Sequence, residues 1–196
     1  MVAGNYDALP VKWVFHDGLA YIPLAGEPVS LRLGPVTGSW REVDRNASPE
    51  PVTLPVFLPV LEEGDAPQGR SGGFVMAACA TPGQAAEIAA HPAWRILRND
   101  GDCQAVLFED QTLMASFYVP TQLNGGGQFH LSASQPCLVW LHGTKLRVCD
   151  PTHTGGNVGL IFNGKPYRAQ LPADGTSVSL SLNKFRIINS SKSGAE

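Results

Sequence analysis

The sequence predicts an all-β protein assembled from antiparallel β-sandwich units, with one short connector helix. Three observations carry this. The chain holds 21 Gly and 16 Pro in 196 residues, spread along its length as turns between many short strands require. Its apolar runs are short, and several alternate with polar residues at the period of a half-buried strand. A complete set of helix-start signals appears only once. The composition, 43% hydrophobic and 16% charged, supports a packed core and argues against disorder. The length suits one large domain or two small ones.

From the N-terminus, residues 12–15 and 19–23 are apolar runs around His16-Asp17-Gly18, and Asp-Gly tolerates the positive φ of a hairpin turn. Residues 29–33 alternate apolar and polar side chains and predict a third strand. Residues 34–51 are turn-rich and carry Trp40. Residues 52–61 are apolar, but Pro55 and Pro59 cannot donate to a ladder, so the segment reads as an edge or bulged strand. Residues 62–73 form a polar, Gly-rich loop, and residues 74–80 a strand of small side chains. The helix is predicted over 81–91. Thr81 can cap it, Pro82 suits its first turn, Gln84 completes a capping box, and His91-Pro92 ends it. Strands follow at short intervals over 95–98, 104–109, 113–119, 128–134, 137–142, 145–150, 157–162, 166–171 and 177–182. Asn163-Gly164 marks a hairpin turn. Val178, Leu180 and Leu182 alternate with Ser177, Ser179 and Ser181, so one face there is buried and the other wet. The polar residues 189–196 read as a frayed tail.

Several function classes are disfavoured. The net charge is −3 with no basic stripe, so nucleic acid is not expected as a partner. No apolar run reaches the ~18 residues of a membrane helix, and no membrane partner is expected. The opening MVAGNYDALP lacks the basic start and apolar run of a signal peptide. This fits either a cytosolic protein or a piece of a longer secreted one. Cys79, Cys103, Cys137 and Cys149 form no C-x-x-C, which argues against zinc and thioredoxin-like chemistry. A two-residue turn at Gly143-Thr144 pairs His142 with Lys145 and puts Cys137 and Cys149 on opposite faces, so free, buried thiols are expected. A three-residue loop would instead set the two thiols opposite each other.

No constellation for catalysis or metal binding stands out. His16, His91, His142 and His153 fall at turns, a helix end and a Gly-rich loop, where structural or solvated roles are expected. His130 lies on a strand, on the face opposite Phe129 and Leu131. No H-x-H, H-E-x-x-H or G-x-S-x-G occurs. Gly125-Gly126-Gly127 lies between strands rather than before a helix, which makes it a flexible loop, not a phosphate cradle. No cofactor is implied. The best binding candidate is the 34–51 loop. Trp40 offers a flat apolar face for a sugar ring, Arg41 and Arg45 offer charge-assisted bonds to a carboxylate, and Asn46 adds neutral ones. Arg70 sits in the next loop. The competing reading packs Trp40 into the sandwich and leaves the Arg residues solvated. Trp13, Trp94 and Trp140 lie in or beside strands and read as core.

Three segments resemble the C-terminal β-domains of polysaccharide lyase family 8, the hyaluronate, chondroitin AC and xanthan lyase group. TGSWREVD (37–44), after the hairpin KWVFHDGLAYIPL, is similar to the family's strand pair followed by Gly-Ser/Thr-Trp-x-x-Ile-Asn. The helix with WRILRNDGDCQAV (94–106) resembles a helix followed by Val-Leu-x-Asn-x-x-x-x-Gln-Ala-Val, matched at Leu97, Asn99, Gln104, Ala105 and Val106. LRVCDPTHTGGNVGLIFNGK (146–165) is similar to the last sandwich, with its Asp-Pro-Thr segment and following hairpin. The order and spacing of the three agree. Glu63-Gly64 and Gly73-Phe74 stand near the places of a frequent His-Gly and Tyr-x-Tyr, and Asp44 stands where Asn is usual.

The resemblance implies the end of a central β-sandwich over 1–92, with the connector helix at its close, then a small C-terminal β-sandwich over 93–188. It implies a parent enzyme that cleaves uronic-acid polysaccharide by β-elimination, on Asn, His, Tyr and Arg of an N-terminal α/α toroid. No such helical region is present, so no catalytic residue carries over. The expected partners are that toroid, the rest of the central sandwich and an acidic polysaccharide. The expected location is extracellular or periplasmic, as part of a longer secreted enzyme. A partial central sandwich also predicts an uncovered apolar face on the N-terminal half. The alternative is a stand-alone carbohydrate-binding β-module.

Overall fold

The computed structural model describes residues 3–24, 26–65, 68–69 and 71–182. The predicted tail at 189–196 lies outside these. Among the described residues all regular structure is β apart from one helix and a 3-10 turn, and the chain divides into two compact units, Met1–His91 and Pro92–Glu196.

The first unit carries two three-stranded antiparallel sheets. One has the order β1 (Gly4–Leu9), β4 (Val29–Gly38), β5 (Val52–Leu61). The other has the order β2 (Val14–His16), β3 (Leu19–Pro23), β6 (Phe74–Ala78). The β2–β3 hairpin turns on Asp17 and Gly18, both at positive φ (45° and 79°), as Asp-Gly requires. β4 runs on to Gly38, beyond the expected end at residue 33. β5 supplies a partner at every position from Val29↔Leu61 to Gly38↔Val52, and this ladder overrides the local breakers Gly34 and Pro35. β5 is an edge strand without a bulge, and Pro55 and Pro59 sit inside its unbroken register.

Helix α1 (Pro82–Ala90) begins at Thr81, whose Oγ1 accepts the Gln84 N–H at 3.2 Å. The return bond falls one residue early: Gln84 Oε1 accepts from the Ala80 N–H at 2.6 Å rather than from Thr81.

The core of this unit is thin. Val14, Val29 and Leu31 are its buried centre, with Tyr6, Tyr21, Phe57 and Leu61 packed around them. An apolar gap of about 50 Å³ remains between the sheets, lined by Val14, Tyr21, Pro59, Leu61 and Phe74 among others. Side chains of β5 that point away from this core, Val52, Leu54, Leu58 and Val60, are exposed, and so are Phe74 and Met76 of β6. The expected uncovered apolar surface is therefore present among the described residues.

The second unit is a β-sandwich of a six-stranded and a four-stranded sheet. In spatial order the first is β16 (Val178–Ser181), β13 (Lys145–Cys149), β12 (Cys137–His142), β9 (Leu113–Phe117), β8 (Cys103–Phe108), β7 (Trp94–Asn99). The second is β10 (Thr121–Asn124), β11 (His130–Ala133), β14 (Gly156–Phe162), β15 (Lys165–Leu171). Inward residues of both sheets form one continuous core that includes Phe117, Phe129, Leu131, Leu146 and Phe162. Twenty-one buried apolar residues belong to it, against six described in the first unit, so this sandwich encloses its own core. His130 is exposed on the outer face while Phe129 and Leu131 are buried.

The register bears out the two-residue turn: His142 pairs with Lys145, and Cys149 lies opposite Leu138 rather than Cys137. All four cysteines are free, but only Cys103 and Cys137 are buried; Cys79 and Cys149 are half-buried. Burial pushes the Cys103 thiol up to about 11 and the Cys137 thiol up to about 12. The three-glycine run is a defined turn. Asn124 Oδ1 accepts from the Gly126 and Gly127 N–H groups (3.1 and 3.3 Å), and the Phe129 ring occupies the space a Cβ on Gly125 would fill.

Candidate functional site

The Trp40 loop is built at the end of β4. The chain leaves the sheet at Gly38, Glu42 Oε1 accepts the Ser39 N–H at 3.2 Å, and Trp40–Glu42 forms a single 3-10 turn. The Asp44 N–H returns to the Trp40 carbonyl at 2.9 Å. Asp44 Oδ1 accepts the Asn46 N–H at 2.9 Å, an Asx turn that reverses the chain. Arg41 Nε donates to the Ala47 carbonyl at 3.3 Å, which anchors the guanidinium along the loop. Trp40 is 60% exposed and does not pack into the sandwich. Arg41, Arg45 and Asn46 are also exposed, so four of the five candidate residues share one solvent-facing loop. Arg70 lies outside the described residues.

The other tryptophans are not core. Trp13, Trp94 and Trp140 are half-buried, because the two in the second unit sit on outward positions: Trp94 pairs with Phe108 and Trp140 with Arg147.

The segment 94–106 is a structural joint. Arg98 Nε donates to Asp100 Oδ2 at 2.6 Å and Nη2 to Asp102 Oδ2 at 3.1 Å, while Nη1 crosses to the other sheet, reaching Thr121 Oγ1 at 3.1 Å and the Gln122 carbonyl at 2.9 Å. Asp100 Oδ1 caps the Asp102 and Cys103 N–H groups, each at 2.9 Å. The hydrogen bond from Arg98 holds the Asp100 carboxyl below its ordinary range. Gln104 donates to Asn99 Oδ1 at 2.9 Å and accepts from the Tyr118 hydroxyl at 2.7 Å, so two of the matched family positions fasten neighbouring strands.

The Asp-Pro-Thr segment is also structural. Buried Asp150 accepts five bonds, from the N–H and Oγ1 of Thr152 (2.7 and 2.6 Å), the N–H and Oγ1 of Thr154 (2.9 and 3.0 Å) and the N–H of Gly155 (2.7 Å). These donors, Thr152 first, hold its carboxyl well below the usual carboxylate range. All five donors lie within the next five residues, so the carboxylate folds its own loop. Among the described residues no group of three or more His, Cys, Asp or Glu is arranged to hold a metal ion, and no helix is long and apolar enough to cross a membrane.

The described residues thus form antiparallel sandwich units and one short helix, and the networks around Arg98 and Asp150 fasten strands and loops to one another. The model of the family 8 polysaccharide lyase super-sandwich domain matches residues 3–89, and that of the family 8 C-terminal β-sandwich domain matches residues 95–158. The chain belongs to polysaccharide lyase family 8. Solved structures agree in fold. A chondroitinase AC lyase superposes over 90% of this chain and 28% of its own, at 21% identity and TM-score 0.74. A Paenibacillus xanthan lyase covers 85% of this chain and 19% of its own, at 18% identity and TM-score 0.67. The Streptomyces coelicolor A3 chondroitin AC lyase covers 87% and 27%, at 18% identity and TM-score 0.64. This chain thus spans under a third of the length of each. No curated protein sequence matches it.

Proposed function

We propose that this chain is the non-catalytic β-sandwich portion of an enzyme that cleaves a uronic-acid polysaccharide by β-elimination. Its role is to support a catalytic α/α toroid that is not in this chain, as part of a longer secreted protein. β-Elimination needs a group to neutralise the uronate carboxylate, a base for the C5 proton and an acid for the leaving oxygen. The described side-chain networks offer no such set. The observation that carries the reading is the surface of the first unit. Leu54, Leu58 and Val60, exposed on the outward side of β5, are what a sandwich shows when strands that cover it are absent.

The chain should give no unsaturated-uronate absorbance with hyaluronan, chondroitin or xanthan. Turnover by this chain alone would sink the proposal. A second reading, a stand-alone carbohydrate-binding module, draws on the 60% exposure of Trp40 beside Arg41 and Arg45. Calorimetric titration with uronic-acid oligosaccharides tests it. Trp40→Ala should weaken binding about tenfold if the indole stacks on a sugar; unchanged affinity removes this loop as the site.

A further inference from the structure

The outer face of the six-stranded sheet holds a cluster unrelated to the Trp40 loop. Lys145 and Arg147 are two residues apart on β13, so both point outward, and both are exposed. Across the ladder Lys145 faces His142 and Arg147 faces Trp140. The Arg147 guanidinium lies 5.7 Å from the Trp140 ring centroid, and the His142 ring stands 6.0 Å from that indole at 25°. The indole therefore favours this placement of the guanidinium before any ligand arrives, which lowers the ordering cost of binding. Exposed Met114 and Leu138 continue the face on the far side of Trp140. None of the six strands contains Asp or Glu, although the chain as a whole carries a charge of −3. Acidic side chains border the sheet at its turns, Glu109 and Asp110 between β8 and β9 and Asp100 and Asp102 between β7 and β8, with Asp110 near His142.

We propose that this face binds an anionic oligosaccharide. Arg147 and Lys145 would take its carboxylate or sulfate groups, and exposed Met114 and Leu138 would take the apolar faces of its rings. The charge assignment rests on the cluster itself; the choice of a saccharide over an acidic peptide rests on the lyase reading above. The four-stranded sheet supplies a contrast, because Arg168 stands on its outer face opposite Gly159, with no aromatic partner across the ladder.

The test is titration of the full chain with hyaluronan and chondroitin sulphate hexasaccharides, beside maltohexaose and hexaglutamate. Arg147→Gln and Lys145→Gln should each lose roughly tenfold in affinity for the acidic sugars. Arg168→Gln should leave this binding unchanged, and maltohexaose should not compete. Added salt should weaken it. Lys145→Gln keeps the cation–π pair, so it reports on binding even if Arg147→Gln lowers stability. Equal affinity in wild type and both cation variants, or no binding at millimolar sugar, overturns the proposal. Hexaglutamate binding as tightly as the sugars overturns the saccharide assignment alone. Binding lost in Trp40→Ala but kept in Arg147→Gln places the sugar on the other loop.

Discussion

Single residues in this chain are set by contacts that leave little latitude. Gly125 accepts the Phe129 ring where a side chain would begin. Gly125→Ala should cost about 1–3 kcal/mol, by the overpacking it forces, and a urea midpoint reads it. Asp150 shows the same economy in polar form. Its folded-state carboxyl titrates well below the unfolded value of about 3.9, so its stabilisation is complete above that pH and is lost as pH falls toward the folded value. Acid unfolding should therefore steepen below about pH 4. Asp150→Asn should flatten that steepening while lowering the neutral-pH midpoint; an unchanged acid limb would contradict the assignment. The raised thiols of Cys103 and Cys137 should resist a thiol reagent at pH 8 until the second unit unfolds.

Elements depend on neighbours more than on local signals. Arg98 ties the β7–β8 hairpin to β10 through Thr121 and Gln122, so Arg98→Ala should destabilise the second unit by about 1–3 kcal/mol. Lys at the same position should recover only part of that, lacking the fork that serves both carboxylates. Thermal unfolding of both variants checks this. Elements with strong local chemistry were legible in the sequence: the Asp17-Gly18 and Gly143-Thr144 turns, the Thr81 cap, the alternation in β16. Two strands were not. β1 (GNYDAL) has no apolar alternation and owes its pairing to β4, with a register shift between Tyr6 and Leu9. β10 (TQLN) has one core side chain, Leu123. The Trp40 loop was legible as Trp beside two Arg. The Arg147–Trp140 cluster was not singled out, because its residues meet across a ladder and Trp140 read as core.

The whole molecule joins a well-filled sandwich to a sparsely filled one. With 21 buried apolar residues against six among those described, the second unit should hold the slowest-exchanging amides, and the first should exchange at lower free energy. Hydrogen exchange read by mass spectrometry tests this, and uniform protection across both units would contradict it. The uncovered surface could not be read from composition. The run VTLPVFLPVL looks the same whether one face of it is buried or both, and only the packing of Phe57 and Leu61 to one side shows which.

The prolines of β5 have a consequence for how its sheet can be extended. Glu62, in phase with the even-numbered residues of β5, donates toward β4 at the Pro28 carbonyl, so the odd-numbered donors point to the open side. Two of those positions are Pro55 and Pro59, which have no donor to offer. An incoming strand would find that border short of hydrogen bonds, however apolar the surface beside it. Extension along that margin is thus disfavoured relative to the other edge of the sheet, at β1.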